Sequence, residues 1–153
     1  MNQLSSRLTP INDLDISCDR AEATFCIYNI DPEFVTKKLN VMPTSSQKIG
    51  ISRIMPSGKK RIGKVDSWLL SSEASHVSSK DIRTHLDWLL DKVKNAAAPI
   101  KELQEMPNAK MSIQCTWWSA DGGGGPTLWP EQMKRMAKLN LECGFNFAYY
   151  GND

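Results

Sequence analysis

The sequence lacks any run of eighteen apolar residues, and its first fifteen residues, MNQLSSRLTPINDLD, have no basic segment leading into an apolar core. Neither a membrane-spanning helix nor a secretory leader is expected, and the expected compartment is the cytoplasm. There are only two histidines, and the four cysteines (Cys18, Cys26, Cys115, Cys143) are scattered without a CxxC pair, so no metal-ligand set emerges from spacing. Buried free thiols are the expected state of the cysteines. Phosphate-loop and dinucleotide fingerprints are absent, and the acidic residues are too dispersed to form a catalytic carboxylate pair. His85 follows Asp81 by four residues, an i,i+4 surface pair on a helix, and no nucleophile is placed by sequence to complete it. No enzyme, no metal and no cofactor is the resulting expectation.

Acidic residues are missing from one long stretch. Between Phe34 and Val65 there are eight Lys/Arg and no Asp or Glu, so this segment carries +8 while the rest of the chain, with 11 basic and 17 acidic residues, sums to −6. The molecule is expected to be electrically two-faced. Aromatics are missing from the same stretch: none occurs between Phe34 and Trp68.

What is present is ordinary for a folded domain. At 153 residues, 41% hydrophobic and 24% charged, the chain suits one core. Residues 1–20 read as a polar N-terminal arm and 21–153 as a single domain. AEATFCIYNI (21–30) has strand alternation. Asp31-Pro32-Glu33 opens a helix with Asp31 as N-cap and Pro32 at N1, ended by Asn40 in a left-handed conformation. Strands Ile49–Met55 and Ile62–Leu70 flank a turn at Pro56-Ser57-Gly58. Ile82, Leu86, Leu89, Leu90 and Val93 mark a helix over 80–95. A short helix follows after Pro99. AKMSIQCTWW (109–118) is a strand with Met111, Ile113, Cys115 and Trp117 on one face, followed by a helix from Pro130 to about Leu139 and a closing strand over 143–151.

Two segments echo each other: Asp31-Pro-Glu to Leu39-Asn-Val, and Trp129-Pro-Glu to Leu139-Asn-Leu. The pattern predicts an α+β fold with a mainly antiparallel sheet, helices packed on one face, and two related strand–helix–strand units.

The segments CDRAEATFCIYNIDPEFVTKKLNVMPTSSQKIG, DSWLLSS and IRTHLDWLLDKV with IKEL after it, together with the final helix and strand, resemble the bacterial family catalogued as domain of unknown function 4279. The likeness covers about residues 21–150. It brings no catalytic residues to transfer. It implies a small cytoplasmic protein similar to the immunity or accessory proteins of bacterial conflict systems, which would bind and neutralise a cognate toxin.

Two stretches are candidate binding surfaces. The hairpin over 48–64 carries Lys48, Arg53, Lys59, Lys60, Arg61 and Lys64, a set suited to steering an acidic protein partner or to contacting phosphates of a nucleic acid, and equally able to stand as a solvated hairpin. Its lack of aromatics disfavours single-strand binding. The second is CTWWSADGGGGPTLWP (115–130). Trp117 and Trp118, being strand neighbours, point to opposite faces, so one is core and the other, with Trp129, either packs or lines a small aromatic recess. Gly122–Gly125 is expected to be a mobile linker, and Asp121 beside it opposes an anion.

Overall fold

The computed structural model describes residues 8–151. Among them, eleven elements follow one another along the chain: β1 (Cys18–Tyr28), α1 (Pro32–Leu39), β2 (Ser45–Gln47), β3 (Ser52–Ile54), β4 (Lys60–Ile62), β5 (Ser67–Ser71), α2 (Ile82–Lys92), α3 (Ala97–Gln104), β6 (Lys110–Ser119), α4 (Pro130–Lys138) and β7 (Glu142–Ala148). Five strands form one sheet in the order β2-β5-β1-β6-β7, and β3 and β4 form a separate two-stranded ribbon. All pairings are antiparallel except β6–β7, which is parallel.

The fold is α+β, and the two strand–helix–strand units are visible in its topology. β1 and β2 are both antiparallel to β5, which lies between them, so β1-α1-β2 is a split β-α-β unit. The second unit, β6-α4-β7, joins adjacent parallel strands. Their helices start and stop alike. Pro32 and Pro130 occupy the first turns, and Asn40 and Asn140, with φ of 56° and 54°, turn the chain out in the left-handed region that Asn tolerates.

The helices cover one sheet face. Phe25 and Ile27 of β1, Trp68 and Leu70 of β5, and Ile113, Cys115 and Trp117 of β6 share a cluster with Val35, Leu86, Leu89, Ile100 and Met136 from the helices. Trp68 and Phe25 meet edge to face with centroids 5.8 Å apart, and Trp68 Nε1 donates to Thr36 Oγ1, so this large side chain is both packed and hydrogen-bonded. The alternate residues Thr24, Ser71, Gln114, Thr116 and Trp118 form the opposite face and are only half-buried.

Three expectations change. The arm expected over 1–20 ends sooner, because β1 begins at Cys18, which is fully buried; residues 1–7 lie outside the described ones. The strand expected over Ile49–Met55 shrinks to β3, with β2 as a separate strand before it, and the one expected over Ile62–Leu70 breaks between β4 and β5, where Gly50 bonds to Gly63 and the Ile49 amide donates to Asp66 Oδ1. A Cβ at Gly63 would lie 2.2 Å from Lys48 O, so this junction admits no side chain. Finally, Pro99 does not precede α3 but lies within its first turn, where its missing N–H costs nothing.

Candidate functional site

His85 and Asp81 do not form the expected surface pair, because both are buried in separate structural contacts. Asp81 is the N-cap of α2, accepting from the Arg83 amide, and its carboxylate takes a two-pronged bond from the Arg83 guanidinium, Nε at 2.9 Å and Nη2 at 2.6 Å. Burial pushes the Asp81 carboxyl up, but the hydrogen bonds from Arg83 and the Asn12 amide outweigh it and hold the group below its ordinary value. Arg83 also donates to the carbonyls of Thr9 and Pro10, and it lies over the Trp129 ring. The N-terminal segment from Thr9 to Asp13 is thereby tied to the start of α2. His85 lies beneath, its Nε2 bonded to Ser79 O and its Nδ1 2.7 Å from Ser72 Oγ, which in turn accepts the Ala23 amide. This Ser–His contact is fully buried and joins β1, the residue that follows β5, and α2.

Asp87, six residues beyond Asp81, is shifted the other way. Burial raises its carboxyl, against the opposing effects of the Gln132 amide bond and the Arg135 charge. Gln132 bridges Asp87 to the Trp129 amide and so caps α4 while docking it on α2. Neither aspartate lines the cleft around Trp118 described below. Among the described residues no group of three His, Cys, Asp or Glu is placed to hold a metal. Cys115 and Cys143 are brought to 3.7 Å by the parallel β6–β7 pairing, and burial raises the Cys18 thiol to about 11, followed by the effect of the Asp15 charge.

The basic side chains of the hairpin are all exposed. Lys48, Arg53, Lys59, Lys60, Arg61 and Lys64 all face solvent, and among the described residues only Lys48 of the six meets a carboxylate, Asp31, at 3.4 Å. The ribbon register sorts its side chains. Arg53 is directly opposite Arg61, so one face carries two guanidinium groups, while Ile54, Ile62 and Lys60 share the other. Like charges directly across a ladder repel, and a two-stranded ribbon has little stability of its own. Ile49, Ile51, Ile54 and Ile62 are between 58% and 71% exposed. Sequence reading found the charges and missed this aliphatic component, because which hairpin side chains stay exposed depends on pairing with strands distant in the chain.

The structure separates the two candidate tryptophans. Trp117 is core, and its ring stacks on Phe147 with centroids 5.6 Å apart. Trp118 faces the open side, covered by Arg20, whose guanidinium carbon is 3.8 Å from the ring centroid. With Asp19, Tyr149 and Tyr150 these two line a cleft of about 450 Å³. Trp129 is on the helix side, its Nε1 donating to Thr9 O, and takes no part in that cleft. The tyrosines and Arg20 escaped sequence reading because only the strand registers bring them together: β1–β6 sets Arg20 opposite Trp118, and β6–β7 sets Ala148, just before the tyrosines, opposite the same residue.

The glycine run is stitched rather than loose. Ser119 Oγ accepts from the Gly122 amide and donates to Gly123 O, and Asp121 Oδ1 accepts from the Gly123 amide. At Gly124, φ is +78° and a Cβ would lie 2.8 Å from the Trp117 ring, so a glycine is needed there on two counts.

The sequence pattern of the family described as domain of unknown function (DUF4279) matches residues 19–151. The chain belongs to this family. The matched region takes in every strand and helix apart from the first residue of β1, so the DUF4279 domain includes the hairpin, the Trp118 cleft and the Asp81–Arg83 clasp. No curated protein and no solved structure matches the chain.

Proposed function

We propose that this DUF4279 protein is a non-enzymatic interaction module that presents the hairpin of residues 48–64 to an acidic protein partner, and that the partner is a toxin whose activity it neutralises. One observation carries the reading. Four exposed isoleucines stand among six exposed basic residues on a ribbon that has no packed core of its own. Arginine beside exposed aliphatic surface is the composition of a protein interface, in which the aliphatic groups supply desolvation and the charges supply steering. A nucleic-acid surface would need the charges alone, or charges with aromatic stacking groups, which the hairpin lacks.

The test compares two hairpin variants against the product of the neighbouring gene by calorimetry and by rescue of growth on co-expression. Lys59→Glu with Lys60→Glu and Arg61→Glu is expected to weaken binding at least about tenfold and to abolish rescue. Ile54→Ser with Ile62→Ser is expected to weaken it comparably. Mobility shift with generic DNA and RNA at two salt concentrations separates the alternative: steeply salt-dependent binding lost only in the charge variant makes the module a nucleic-acid-binding accessory protein.

A further inference from the structure

We propose that β7 pairs with β7 of a second copy of this chain, joining two five-stranded sheets into one of ten strands. β7 is the outermost strand of the sheet, and no strand pairs with its outer side among the described residues. A free edge offers unpaired backbone N–H and C=O groups to another strand, and proteins that stay monomeric blunt such edges with lysine, proline, bulges or extreme shortness. β7 has none of these. It is seven residues long, ECGFNFA, with no Lys, Arg or Pro, and its pairing with β6 runs without a register shift. The other edge, β2, is three residues long and leads directly into the basic hairpin.

Exposed apolar surface accompanies the edge. Phe145 and Phe147 are 51% and 52% exposed although they lie on the helix side of the sheet. α4 leans toward α2, to which Arg135 and Gln132 bind it through Asp91 and Asp87. Met133, about 200° around the helix from Arg135 by the helical period, turns away from α2 and is 49% exposed.

Self-pairing satisfies both the pleat and the charges. Keeping both helix layers on one side requires odd residues to face odd ones. An antiparallel pairing about a two-fold axis through Phe145 does this over the full strand: Phe145 meets its own copy, Cys143 faces Phe147, Gly144 faces Asn146, and Glu142 faces Ala148. No like charges oppose one another. The +8 segment points to a copy at this edge and to no copy at β2. Four strand spacings, about 19 Å, separate β2 from β7. Joining through β7 sends the two basic hairpins to opposite ends of the ten-stranded sheet, whereas joining through β2 would set them side by side.

Sedimentation equilibrium of the full chain tests this at concentrations up to about 100 µM, the range in which a standard-sized interface associates. The expected species has twice the 17.2 kDa of the chain. Phe145→Lys and Phe145→Glu, each placing like charges across the two-fold axis, are each expected to be monomeric, and an equimolar mixture is expected to regain the dimer because Lys then faces Glu. Loss of folding would not restore association on mixing. Ala148→Lys and Ala148→Glu provide a second comparison outside the Phe145 position. Lys facing Glu142 is expected to tighten the dimer and Glu to loosen it, with about a tenfold difference in dissociation constant over two symmetric sites. A wild-type chain that stays at 17.2 kDa overturns the proposal, as does a dimer that survives both Phe145 substitutions or folded variants that stay monomeric when mixed. Reversal of the hairpin charges leaves the dimer mass unchanged, and Phe145→Lys leaves one-to-one partner binding unchanged, so failure here is distinguishable from failure of the hairpin reading.

Discussion

Replacing Arg83 with Met is expected to be among the more destabilising single changes in this protein. Arg83 and Asp81 are 3% and 7% exposed, and the guanidinium supplies two of the donors that compensate a carboxylate withdrawn from water. Met preserves much of the side-chain volume, so the cost falls mainly on the uncompensated charge rather than on a cavity. Breaking one side of a buried ion pair costs about 3–5 kcal/mol. The amides of Arg83 and Asn12 still donate to Asp81, which places the expectation near the lower figure. For a chain of this length each kcal/mol lowers the Tm by roughly 2–4 °C, so a fall of roughly 10 °C is expected by calorimetry. The Pro10 carbonyl loses its Arg83 donor and the Thr9 carbonyl keeps only Trp129 Nε1, so amide exchange at Asn12 should speed up well before global unfolding. The decisive measurement is the double variant. Asp81→Asn removes the stranded charge while keeping a good N-cap, so Arg83→Met with Asp81→Asn should recover at least about 2 kcal/mol relative to Arg83→Met alone. A loss below about 1 kcal/mol for Arg83→Met, or no recovery in the double variant, refutes the account of the clasp as a charge-compensated anchor.

Other outcomes follow from the same geometry. Gly124→Ala, at φ +78° and with its Cβ against the Trp117 ring, should cost about 1–3 kcal/mol in chemical denaturation, whereas Gly123→Ala one residue earlier should be close to neutral. Asp81, lowered in the folded state, contributes stability that is present above its ordinary value of 3.8 and is lost as pH falls through the lowered one; Asp81→Asn should flatten the acid limb of a Tm-versus-pH curve. Asp87, raised in the folded state, contributes in the opposite sense, fully present below 3.8 and lost as pH rises through the raised value, so Asp87→Asn should hold or raise the Tm at pH 7. Arg61→Glu should relieve the repulsion from Arg53 across the ribbon and slow amide exchange in β3 and β4.

The local grammar of this chain was legible in advance. Asp31 as cap, Pro32 at N1 and Asn40 as left-handed stop depend on a handful of adjacent residues and on backbone groups that need a partner, and all three appear as read. Strand alternation over 109–118 likewise set Trp117 and Trp118 on opposite faces with one of them in the core, and the structure makes that one Trp117. His85 was misread because the i,i+4 rule sees only its own helix. Its partners, Ser72 and Ser79, come from the chain segment before the helix, and its burial follows from where β5 docks. The hairpin charges were countable, but the reduction of the hairpin to the short ribbon of β3 and β4, which leaves four isoleucines in solvent, depends on pairing between strands.

Sequence by itself determined the four helices, the long strands, the α+β class and the concentration of positive charge, because periodicity, capping and composition act over a few neighbouring residues. Only the tertiary structure decided what those elements present to the outside. Trp129 reaches Thr9 across 120 residues and is thereby occupied, while Trp118 acquires Arg20 and two tyrosines as neighbours. β7 becomes the outermost strand because β6 has β1 on its other side. Which side chains remain unpartnered is a property of the whole packing, since burial of one group is set by residues far away in the chain.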